Sequence, residues 1–104
     1  MTVIPFAVHR FTPADVEAFM KVARPRMEAG LWGAFMRESD KDGDSFYVFF
    51  TGLNRPIFKF HRTRYGDYLL WFHDKKEWMD VSRGDTAQEC LGIWATGTVI
   101  RKAS

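Results

Sequence analysis

Asp40-Lys41-Asp42-Gly43-Asp44 places carboxylates at alternate positions, the spacing with which a calcium loop opens. Such a loop also needs glycine at its sixth position and a bidentate glutamate at its twelfth. Counted from Asp40, those positions hold Ser45 and Thr51. The stretch therefore reads as a solvated hairpin loop, Ser39 to Ser45. His9, His61 and His73 invite a metal, but strand spacing sets His61 and His73 about 13 Å apart on one face. Ligands of one zinc must all reach within about 2 Å of it. Cys90 falls on an apolar helical stripe, which suits a small buried hydrophobe better than a thiolate. No serine elbow is present, and no glycine-rich phosphate loop follows a strand. The sequence thus offers no catalytic residue, no metal ligands and no cofactor motif, and a non-enzymatic chain is expected.

Arg55, Lys59, Arg62 and Arg64 fall within one short run that contains no acid, and aromatic residues interleave with them. Sheets that present aromatics and cations stack the bases of single strands in this way. Arg55, Lys59 and Arg64 are the candidate phosphate contacts, while Arg62 alternates to the opposite face. A net charge of +2 is small for a nucleic-acid binder, and no ribonucleoprotein-type motif accompanies the run. Nucleic acid, or a small aromatic ligand on the same surface, is therefore the alternative and not the first expectation.

These residues need a scaffold. The chain has 104 residues, 46% hydrophobic and 27% charged, which fits one globular domain over 1–104 and excludes disorder. One cysteine allows no internal disulfide, no apolar run approaches a membrane span, and the first residues make a poor signal peptide. A soluble cytoplasmic protein with no membrane association is expected.

Thr12-Pro13-Ala14-Asp15 reads as a helix start, with Val16, Phe19, Met20, Ala23 and Met27 as the apolar stripe and Asp15 on the wet side. Pro25 predicts a kink or break, and Gly30 a stop. Four strands follow as a meander: Leu31 to Glu38, Phe46 to Thr51, Ile57 to Thr63 and Asp67 to His73. Asp74 to Glu77 has capping-box spacing and predicts a short helical turn; Thr86 to Glu89 predicts a surer helix, ending near Gly97. Val3–His9 and Thr98–Ile100 are candidate edge strands. The class is α+β: helix, four-stranded antiparallel meander, helix.

Alternation separates the two faces of that sheet. Gly33, Phe35, Phe46, Val48, Phe50, Phe58, Phe60, Leu70 and Phe72 share the face that the helices cover. Trp32, Met36, Tyr47, Phe49, Lys59, His61, Trp71 and His73 share the other. A solvated face would carry threonine, lysine and glutamate; an aromatic one marks a contact surface unless the same chain covers it. The expected function is protein–protein interaction through this second face, with another protein or with a second copy of the chain as partner.

Overall fold

The computed structural model describes residues 9–95. Its elements are α1 (Pro13–Glu28), β1 (Trp32–Asp40), β2 (Gly43–Phe50), β3 (Phe58–Thr63), β4 (Tyr68–Asp74), β5 (Glu77–Gly84), α2 (Ala87–Cys90) and α3 (Gly92–Ala95). The strands make one antiparallel sheet in chain order. The fold is α+β, with five strands where four were expected. The strands proposed for Val3–His9 and Thr98–Ile100 lie outside the described residues, apart from His9. Among the described residues, no helix is long and apolar enough to cross a membrane.

β5 replaces the helical turn expected after Asp74. Asp74 and Glu77 do meet, but as the closing pair of a hairpin turning at Lys75-Lys76. Lys75 adopts φ 50°, a left-handed conformation uncommon outside glycine, asparagine and aspartate. No turn residue therefore announces the hairpin. Val81 is also skipped in the pairing with β4, so the alternation of β5 breaks midway.

The loop expected at Ser39 to Ser45 is instead a tight hairpin turning at Lys41-Asp42, with Asp40 opposite Gly43. Gly43 sits at φ +132°, and a Cβ there would lie 1.9 Å from the Arg62 carbonyl oxygen. Asp44 is a fully buried strand residue. Its carboxylate accepts from Arg10 and Arg37 at 2.9 Å, from the Phe11 amide at 2.8 Å and from Ser39 at 2.6 Å. Burial alone would raise its pKa, but these hydrogen bonds together hold the carboxyl well below its ordinary value.

Thr12 caps α1 through a reciprocal box with Asp15. Asp15 is buried rather than wet, because it also accepts from Tyr68 Oη at 2.7 Å and Arg62 at 3.2 Å. α1 continues through Pro25 to Glu28, although the proline cannot donate to the carbonyl of Lys21 one turn back. Gly30, at φ 80°, ends it. At the other end of the chain, the helix expected from Thr86 divides at Leu91 into the short turns α2 and α3.

The β3–β4 register matches the sequence reading: Phe58 faces Phe72, Lys59 Trp71, Phe60 Leu70 and His61 Leu69. The β2–β3 register differs by two, with Val48 opposite Phe58 in place of Phe50. An even shift preserves the faces. The connection is wider than a five-residue turn, closing where Ile57 N–H reaches the Val48 carbonyl at 2.7 Å. On the helix side, Phe19 stacks on Phe46 at 4.2 Å, and Phe60, Val48 and Leu70 are completely buried. That face is the core.

Candidate interaction face

On the opposite face the pairings arrange side chains in three rows across the strands. One row runs Glu38, Ser45, His61, Leu69, Arg83; the central row runs Met36, Tyr47, Lys59, Trp71, Asp80. The third holds Ala34, Phe49, His73 and Trp78, with Ile57 between the two halves, its carbonyl accepting from the His73 amide at 2.7 Å. Among the described residues, α1 and α2 pack with the core face, and no helix lies over these rows.

Lys59 occupies the centre. Its Nζ lies 5.4 Å from the Tyr47 ring centroid and 5.0 Å from that of Trp71, a cation held between two π faces. Among the described residues no carboxylate comes within ion-pair distance of it. Trp71 is fixed in turn: its indole Nε1–H donates to Asp80, and its ring stacks on His61 at 5.7 Å. His61 Nδ1 is 2.8 Å from Ser45 Oγ. Burial lowers the His61 pKa, and the Lys59 charge adds to that. Ser45 and His61 are only 4% and 8% exposed, so the pair is a satisfied internal hydrogen bond. Burial, with Glu38 nearby, pushes the Tyr47 phenol up to about 12.

The aromatic rings roof this face themselves. Trp78 on β5 lies 6.2 Å from Tyr47 on β2 and 4.9 Å from His73. Upright side chains three strands apart would be separated by roughly 14 Å, so these rings lean across β3 and β4. Beneath them Ile57 is 4% exposed, although it is not part of the helix-side core cluster.

Of the residues read from sequence, Met36, Tyr47, Phe49, Lys59, His61, Trp71 and His73 share this face. His61 is buried, Met36 exposed, and the others half-buried. Trp32 does not share it. A bulge between Trp32 and Ala34 turns that side chain toward the helices, where it is buried 5.2 Å from Trp94. Gly33 sits at the bulge, where an added Cβ would come within 3.1 Å of Thr51 Cα. The phosphate candidates are separated. Arg55 donates to His73 Nδ1 at 2.7 Å beyond one end of β3, and Arg64 pairs with Asp42 at 3.1 Å beyond the other. Asp80 and Arg83 join the face only through β5, which the sequence does not announce. Among the described residues, no three His, Cys, Asp or Glu side chains group as a metal site requires. Cys90 is buried in the core, its thiol pushed up to about 12 by burial. No family model, curated protein or solved structure matches the chain.

Proposed function

We propose that the protein is a non-enzymatic interaction domain whose aromatic face docks against a second copy of the chain. The observation that carries this reading is the Lys59 charge, without an ion-pair partner among the described residues, at the centre of a half-buried aromatic roof. Aromatic residues supply most of the energy of such contacts, and a charge at their centre dictates what must face it.

A two-fold contact is self-complementary, so each residue on the axis meets its own copy. An axis along β3 would set Lys59 against Lys59, which like charges oppose. An axis along β4 sets β3 of one copy over β5 of the other. Lys59 then faces Asp80 of the second copy, twice by symmetry, while Trp71 lies over Trp71 and Leu69 over Leu69. Such a contact is about three strands wide, at the weak end of specific interfaces, and implies micromolar association.

Sedimentation equilibrium across micromolar concentrations tests the reading. Dimer is expected for the native chain, and monomer for Leu69→Glu, a half-buried position on the proposed axis. Met36→Glu, on β1 and outside the overlap, should leave the dimer intact. A native chain that is monomeric throughout the range would sink the reading. Salt-resistant oligonucleotide binding abolished by Trp71→Ala would replace it with the nucleic-acid alternative.

A further inference from the structure

On the far side of the sheet from the interaction face, α1, α2 and α3 border a groove of about 670 Å³. That volume is typical of small-molecule sites. Its floor is apolar, formed by Ala18, Val22, Leu91 and Trp94. Arg26 closes one end, its guanidinium 6.0 Å from the Trp32 ring centroid and 5.8 Å from that of Trp94. It donates to the Val22 carbonyl at 3.0 Å and the Trp94 carbonyl at 3.4 Å. Those bonds use two of the five donors a guanidinium carries. Among the described residues no carboxylate lies within ion-pair distance of Arg26 or of Lys21, which lines the same wall.

A half-desolvated guanidinium with spare donors, seated on two indoles above an apolar floor, complements an anion with an apolar body. We propose that the groove binds a fatty-acid carboxylate, its head on Arg26 and its chain along α1 toward Ala14. The wall from Ala14 to Pro25 is roughly 16 Å long at the helical rise, enough for a medium-length chain. Glu17 lies nearer the Ala14 end and repels a carboxylate there, which fixes the direction of the ligand. The carboxyl end of α1 is itself negative, and Arg26 in the last turn offsets that field. This site is independent of self-association.

Calorimetric titration of the full chain with decanoate tests the proposal, with decylammonium as the same chain bearing the opposite head. Decanoate should bind with one equivalent per chain, and decylammonium at least tenfold more weakly. Arg26→Met should weaken decanoate about tenfold or more, the loss expected when a charged hydrogen-bond partner is removed. Lys21→Glu, at an exposed position that leaves the fold intact should Arg26→Met not fold, should weaken it severalfold. The proposal is overturned by absence of decanoate binding, by equal binding of decylammonium, or by a decanoate affinity that both substitutions leave unchanged.

Discussion

The two faces of this one sheet are both rich in aromatic rings, yet they are closed by different means. On the helix side, Phe19, Phe46 and Phe60 stack in near-parallel array under α1, and the charged groups at the edge beside the β1–β2 hairpin are paired. Asp44 holds Arg10 and Arg37, and Asp15 holds Arg62. On the other face the rings lie over one another, and among the described residues Lys59 has aromatic neighbours but no paired acid. The difference lies in what answers each charge, and an aromatic count does not reveal it. A core whose edge charges are answered by neighbouring carboxylates is closed there; a face whose central charge is not has a place for something else.

The contrast predicts a ranked set of effects. Phe60→Ala removes a fully buried ring from the helix side and should cost about 3–5 kcal/mol in chemical denaturation. Asp44→Asn takes a fully buried carboxylate from the Phe11 amide and from two half-exposed arginines and should cost about 1–3 kcal/mol. A loss below about 1 kcal/mol would show that its network does not hold the hairpin to the Arg10-Phe11 segment that leads into α1.

Acid should separate the faces in two steps. His61 has a lowered pKa, so the unfolded chain takes up a proton that the folded chain refuses. Its share of stability is present above 6.5, its ordinary value, and is lost as the pH falls below that. Asp44 also has a lowered pKa, and its larger share is lost only as the pH falls below 3.8. Denaturation midpoints across pH should show both limbs, His61→Gln flattening the upper and Asp44→Asn the lower. Trp78→Ala opens the roof over Ile57 and should cost about 1–2 kcal/mol, less than Phe60→Ala because Trp78 is only half-buried. Met36→Glu, at a position 50% exposed, should change stability by less than about 0.5 kcal/mol.

Much of this contrast was legible in the residues. The period of two assigned Phe46, Val48, Phe58, Phe60 and Leu70 to one face and Tyr47, Lys59, His61 and Trp71 to the other. A register error of two residues between β2 and β3 left that assignment intact. Two of the misreadings share a cause: local signals outweighed by distant partners. Thr12 and Asp15 read correctly as a cap, but nothing nearby says that Tyr68 and Arg62 also bury Asp15. Asp44 looked like one more loop acid because its arginines lie 7 and 34 positions away. Lys75-Lys76 carries no turn signature, which hid β5 and with it Asp80, the acid that the self-docking reading needs. The Trp32 bulge breaks alternation at a glycine, where a single sequence has no means of counting the extra residue.

The claim that Lys59 awaits an acid from a second copy is tested most directly by charge reversal read out by sedimentation. Lys59→Glu alone and Asp80→Lys alone should each abolish the native dimer, because each sets like charges together at both symmetric contacts. An equimolar mixture of the two variants should dimerise again, since every opposed pair in the mixed species is complementary. Restoration only in the mixture supports self-docking along β4. Single variants that dimerise like the native chain, or a mixture that stays monomeric while the native chain is a dimer, would contradict it.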